Sequence, residues 1–133
     1  MSKDWVKDIH VMQSKYLTRQ WVNSNPEKLR EFLKFRIAFL QEELDETREA
    51  YILRDAEEVV DGLIDLCVVA IGTLDAFGVD PYKAWDEVLK ANMQKQVGVK
   101  ETRPNPLGVP DLVKPDDWEP PSHNGNHGKF NDI

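Results

Sequence analysis

Apolar residues recur at helical spacing through most of the chain. Trp5, Ile9, Met12 and Tyr16 step by four, three and four, one face of a helix from Asp4 to about Tyr16. Asn25-Pro26-Glu27 joins an N-cap residue, a proline at the first helical position and an acid, which marks a helix start. From there Leu29, Phe32, Leu33, Ile37, Leu40, Leu44 and Tyr51 fall on one stripe of a long helix reaching about Leu53. Asp55 with Glu58 three residues later resembles a capping box with Asp in place of Ser or Thr. It opens a third helix to Phe77, stopped by Gly78. Asp80-Pro81 opens a fourth, to about Gln96 before Gly98. No segment alternates with period two for long enough to predict a sheet. The pattern predicts an all-α four-helix bundle with short loops.

The pattern ends near residue 97. Residues 98–133 contain six of the eight prolines, which excludes long helices there. This gives a helical domain over 1–97 and an irregular, proline-rich tail over 98–133 that belongs to the same domain. Within the tail the polar stretch from Ser122 to Gly128 is expected to be mobile.

Composition narrows the function classes. The 133 residues carry 17 basic and 24 acidic side chains, a net charge of −7. Such a surface repels nucleic-acid backbones and anionic lipid, so neither is an expected partner. A single cysteine, Cys67, excludes an internal disulfide framework; on its apolar helix it is expected to be inert packing. No leader-like segment opens the chain, and its longest apolar run, near Leu66 to Leu74, is too short to span a bilayer. A cytoplasmic, soluble protein is expected.

The acids are placed oddly for a plain bundle. At 100° per residue, Glu43 points into the edge of the apolar stripe of the long helix, and Glu46 follows one turn on. On the third helix Glu58, Asp61 and Asp65 form one line, at i, i+3 and i+7. Their helix is apolar on nearly every side, so Asp61 and Asp65 are expected to face the interior or a cleft. Burying several like charges is costly unless cations compensate, and only Arg36 is an obvious cation on these faces. A divalent cation can neutralise such a set, and all-oxygen ligands suit Mg²⁺ or Mn²⁺ better than Zn²⁺. The competing reading, a solvated face paired with Lys and Arg, is preferred for Asp45, Glu49 and Glu57. The metal reading is preferred for Glu43, Glu46, Glu58 and Asp61, two i, i+3 pairs on consecutive antiparallel helices. Asp65 is either a group behind the ligands or an interior polar contact.

Three motifs then carry a resemblance. Glu42-Glu43-Leu44-Asp45-Glu46 matches Glu-Glu-x-x-Glu, Glu58-Val59-Val60-Asp61 matches Glu-x-x-Asp, and Asn92-Met93-Gln94-Lys95 matches Asn-x-x-Lys. In order, the three resemble the MazG-like all-α nucleoside triphosphate pyrophosphohydrolases of short, single-domain type. Their superfamily also includes phosphoribosyl-ATP pyrophosphohydrolase. The segment Lys114-Pro-Asp-Asp-Trp118-Glu-Pro-Pro121 is similar to tails of some short members. The resemblance implies metal-dependent hydrolysis of a (deoxy)nucleoside triphosphate to monophosphate and pyrophosphate, in nucleotide-pool control. It also implies metal ligands at Glu43, Glu46, Glu58 and Asp61, with Glu42 orienting or deprotonating the attacking water. Asn92 and Lys95 would contact the triphosphate, and the protein would be a homodimer or homotetramer. Lysine as a point charge suits a phosphate oxygen, while its plainer role is to complement a helix C-terminus. Asn92, on the side of Trp85, Val88 and Leu89, is expected to be turned away from solvent.

Base recognition is thinly marked. Gln13, Tyr16, Phe35, Arg36 and Trp118 are candidates, with ordinary packing the alternative for each. His10 is expected to be a surface or packing residue. A binuclear iron protein would need Glu-x-x-His pairs, and none occurs. Phosphoribosyl-ATP hydrolysis and a non-catalytic helical oligomerisation module are the remaining alternatives.

Overall fold

A computed structural model describes residues 3–100, 102, 103 and 105–133. The fold is all-α apart from one two-stranded ribbon, with helices α1 (Trp5–Lys15), α2 (Thr18–Ser24), α3 (Leu29–Ile52), α4 (Ala56–Ala76) and α5 (Pro81–Met93). Strands β1 (Gln96–Gly98) and β2 (Asp111–Val113) pair antiparallel, with Val97 opposite Leu112. Two compact units are distinguished. One comprises the chain up to Pro81 together with His127–Ile133, the other Tyr82–Asn126.

The expected helix starts are present, with two changes. The Asp4 carboxylate accepts from the Lys7 N–H at 3.0 Å, and Asp55 accepts from the Glu58 N–H at 3.2 Å. At the second start, Pro26–Lys28 form a 3₁₀ turn before α3, and the Asn25 amide donates backward to the Trp21 carbonyl at 2.7 Å instead of capping forward. The periodicity also missed α2. Leu17, in the left-handed region at φ 61°, ends α1 and begins α2 in one residue.

Helix α4 ends as its glycine requires. Gly78, at φ +74°, donates to the Asp75 carbonyl, and Val79 donates to Leu74. Helix α3 ends by the same pair of bonds, Arg54 to Tyr51 and Asp55 to Ala50, with Arg54 in the left-handed position at φ 57°. Asp55 therefore closes one helix and caps the next. The link is too short for anything but an antiparallel α3–α4 hairpin.

The core of the first unit is Val22, Leu29, Ala76 and Phe77, with Phe32, Leu33 and Phe130 packed against it, and an aromatic series runs through it from α2 to the C-terminal residues. Trp21 lies 5.6 Å from Phe32, Phe32 lies 5.8 Å from Phe77, and Phe130 stacks on Phe77 at 4.1 Å. Val22 and Phe77 are 0% exposed. Phe130 belongs to a 3₁₀ turn, Gly128–Asp132, tied by the Lys129 N–H to the Phe77 carbonyl at 2.7 Å. The tail thus ends as part of this core. Within the stretch expected to be mobile, Asn126 is buried and its N–H donates to the His123 carbonyl at 2.9 Å.

In the second unit α5 stops at Met93, short of the expected Gln96, because Gln96 begins the ribbon. Asp111 at its far end accepts from Arg103 Nη2 at 2.6 Å and from the Leu112 N–H at 2.8 Å. Those bonds hold its carboxyl below the usual range, the backbone donor contributing most.

Candidate functional site

Helices α3 and α4 approach each other closely beside the acidic motifs. Gly62, next to Asp61, lies against Thr47, next to Glu46, so closely that a Cβ at Gly62 would overlap the Thr47 hydroxyl oxygen. The Thr47 hydroxyl donates to the Glu43 carbonyl at 2.8 Å. The glycine lets the two backbones approach, and the carboxylates flank the contact. Sequence reading passed over both residues, since a lone mid-helix glycine reads as a helix weakener.

Glu43 is the buried member of the set, 9% exposed, and its Oε2 is buried without a hydrogen-bond partner. Burial raises its pKa first, and the charges of Glu46, Asp65 and Glu42 raise it further. Three carboxyl groups, two on α3 and one on α4, therefore lie near enough to act on Glu43. Glu42, Glu46, Glu58 and Asp61 are exposed and Asp65 is half-buried, so Asp61 does not face the interior as expected. Helix α4 is not buried all round: Val60, Leu63 and Ile64 are 63%, 51% and 44% exposed, and Cys67 is only half-buried. Among the described residues no three His, Cys, Asp or Glu side chains converge as a metal-holding group.

Arg36 and Gln13 are committed to α4. Arg36 donates from Nε to the Thr73 hydroxyl at 2.9 Å and from Nη2 to the Val69 carbonyl at 3.0 Å. Its guanidinium lies 6.0 Å from the Phe32 ring and 5.7 Å from Phe39. Burial lowers its pKa, but an arginine keeps its proton. Gln13, 5% exposed, donates to the Gly72 carbonyl at 2.9 Å. Among the described residues Arg36 forms no ion pair with the acids, so the one cation expected to offset them faces elsewhere. Tyr16 and Phe35 are exposed.

A second polar cluster was not foreseen. Asp75, with its side chain 9% exposed, binds His10 Nδ1 and Arg19 Nη1, both at 2.7 Å. Arg19 also donates to the His10 carbonyl at 3.0 Å and to the Ser14 hydroxyl. His10 is on the surface as expected, with a partner the periodicity could not supply, because Arg19 lies in the missed helix.

In the second unit Asn92 is exposed, contrary to expectation, as are Trp85 and Leu89. Trp118 is half-buried, and its indole N–H donates to the Ala91 carbonyl at 2.7 Å. Lys95 Nζ lies 5.4 Å from the centre of the Trp118 ring, and Lys114 Nζ lies 4.6 Å from it.

A family model for phosphoribosyl-ATP pyrophosphohydrolase matches residues 12–92, more than half of the chain and including both acidic motifs. No curated protein and no solved structure matches the chain. The superfamily is the one to which the MazG-like resemblance pointed, while the matching family is its phosphoribosyl-ATP branch. The chain belongs to the phosphoribosyl-ATP pyrophosphohydrolase family, a family of enzymes that hydrolyse phosphoric anhydrides of nucleotides.

Proposed function

We propose that the protein hydrolyses (deoxy)nucleoside triphosphates between the α and β phosphorus atoms, releasing monophosphate and pyrophosphate, in control of the nucleotide pool. The observation that carries the reading is Glu43: a buried carboxyl oxygen with no partner, among other carboxylates, beside a close contact of two helices. An apolar or amide side chain would fill that position at less cost, so the acid is retained for a charge it meets.

The donor set fits a hard divalent cation, Mg²⁺ or Mn²⁺, held by Glu43, Glu46, Glu58 and Asp61. The last three are exposed and free of close packing, so their rotamers can turn inward, whereas without a cation like charges favour separation. A bound cation would supply charge neutralisation of the phosphate oxygens and a lowered pKa for the attacking water. Glu42 takes the proton from that water as its oxygen bonds to the α phosphorus and pyrophosphate leaves. Asp65 stands behind the ligands and adds to the negative field at Glu43. Asn92 and Lys95 contact the triphosphate, with Gln13, Arg36 and Trp118 as further substrate-binding positions. The bonds Gln13 and Arg36 make to α4 favour a role in holding the helix that carries Glu58 and Asp61.

Phosphoribosyl-ATP is the second reading, favoured by the family match. It presents the same triphosphate, so the acids serve either substrate. The (deoxy)nucleoside triphosphate is placed first because residues 98–133 lie beyond the matched segment and carry the tail similar to that of short members.

Apolar residues left exposed on α3 and α4, among them Ile37, Leu44, Tyr51, Val60 and Leu63, favour a homodimer or homotetramer. Among the described residues no helix is long and apolar enough to cross a membrane, in keeping with a cytoplasmic location.

Metal binding is tested by thermal unfolding. Mg²⁺ at a hundredfold excess over its dissociation constant stabilises the folded state by about 2.7 kcal/mol. The melting temperature is expected to rise with Mg²⁺ in the wild type and to stay flat in Glu43→Ala and Glu58→Ala. A flat wild-type curve would favour a helical module with vestigial acids.

A further inference from the structure

We propose that Lys114 and Lys95, arrayed on Trp118, form a diphosphate-binding site in the second unit. The inference deepens the proposed reaction and rests on it for the identity of the ligand. Lys114 lies outside the matched family segment and outside the three motifs.

The site is built by α5 and the turn that follows β2. The Trp118 N–H donates to the Pro115 carbonyl at 3.0 Å, closing that turn. Its indole N–H donates to Ala91, a carbonyl in the last turn of α5 that also accepts from the Gln94 N–H at 3.3 Å. The ring is thereby fixed in position and angle by two backbone bonds. Two ammonium groups are drawn to it, at 5.4 and 4.6 Å from the ring centre, and so stand no more than 10 Å apart.

Either cation alone would be an ordinary contact between an ammonium and an aromatic face. Two on one indole repel each other, and among the described residues neither forms an ion pair with a carboxylate. This occurs in a chain of net charge −7, where acids are in surplus. An anion that accepts from both ammoniums removes the repulsion. With charge-assisted hydrogen bonds of about 2.8 Å at each end, a diphosphate spans the gap. The apolar indole that both lysines approach limits competition from water on its side. The proposed reaction offers this chemistry twice, as the terminal phosphates of the substrate and as released pyrophosphate.

Inorganic pyrophosphate is titrated by calorimetry into the full-length protein in EDTA, so that no metal contributes. The wild type is expected to bind, with affinity falling as salt rises. Lys114→Met is expected to weaken binding about tenfold, and Lys114→Arg to restore most of it. Trp118→Phe, which keeps a ring and loses the indole N–H, is expected to weaken it while leaving the melting temperature within a few degrees of wild type. Steady-state kinetics separate the two sources of diphosphate. A higher KM with unchanged kcat in Lys114→Met assigns the site to the substrate's terminal phosphates. A higher inhibition constant for pyrophosphate with unchanged KM assigns it to the product. Lys114→Met binding pyrophosphate as tightly as wild type would overturn the site, even if nucleotide hydrolysis were intact. Loss of all nucleotide hydrolysis with pyrophosphate binding preserved would overturn the proposed reaction and leave the site standing.

Discussion

Glu43→Gln is expected to lose turnover by about a thousandfold, several kcal/mol of transition-state stabilisation, and to gain stability. Both effects follow from one observation. Glu43 is buried with an unpartnered oxygen, and burial and its acidic neighbours raise its pKa. A carboxyl whose folded pKa exceeds its unfolded value binds its proton more tightly when folded. Stability therefore declines as pH rises from the unfolded to the folded pKa and is flat above it. The metal-free wild type is expected to melt higher in mild acid than at neutral pH. Glu43→Gln removes the ionised form, so its advantage is largest above the folded pKa and vanishes below the unfolded one. Melting curves in EDTA across pH, beside pyrophosphate-release assays in Mg²⁺, read the two effects. A variant less stable than wild type at neutral pH would show that the carboxylate is paid for by packing rather than by a cation.

Phe77→Ala is the stability prediction with the largest effect. The ring is fully buried, stacked on Phe130 at 4.1 Å and 5.8 Å from Phe32. Deleting it leaves a cavity where α3, the end of α4 and the C-terminal turn meet. Such a Phe→Ala change costs about 3–5 kcal/mol, against a total stability of about 5–15 kcal/mol for a typical domain. The urea midpoint is expected to drop sharply. Phe130→Ala is expected to cost less, because Phe130 is only half-buried. Equal midpoints for wild type and Phe77→Ala would mean that the aromatic series does not hold the first unit together.

What the sequence made legible follows from which signals are local. Asp4, Asp55 and Gly78 act through residues three positions away, and Asp55 opens and Gly78 stops a helix as their spacing predicted. Glu43 was legible because helical geometry alone turns it to the edge of the apolar stripe. The ends of α1 and α3 fall where the periodicity puts them, but the left-handed residues that make the breaks, Leu17 and Arg54, were hidden, because a left-handed residue that is not glycine leaves no mark in composition. Helix α2 disappeared with the first of these. The ribbon was hidden because three-residue strands cannot display a period of two. Gly62 and Thr47 needed the facing helix, as did the Asp75 pairing with His10 and Arg19, which links residues 65 and 56 positions apart. Asp61 was expected in the interior or a cleft because the surrounding apolar residues were assumed to be covered; in the single chain Val60, Leu63 and Ile64 are not, and Asp61 lies outside the interior.

The central claim is a metal-dependent cleavage that releases pyrophosphate through Glu43 and its neighbours. Its most direct test is pyrophosphate release from a panel of ribo- and deoxynucleoside triphosphates and phosphoribosyl-ATP, in Mg²⁺ and in EDTA, for wild type and Glu43→Ala. The account predicts release from at least one triphosphate in Mg²⁺, none in EDTA and none from the variant, with the ranking supplying the base and sugar preference. Release that persists in EDTA or in Glu43→Ala, or no release from any compound, would contradict it.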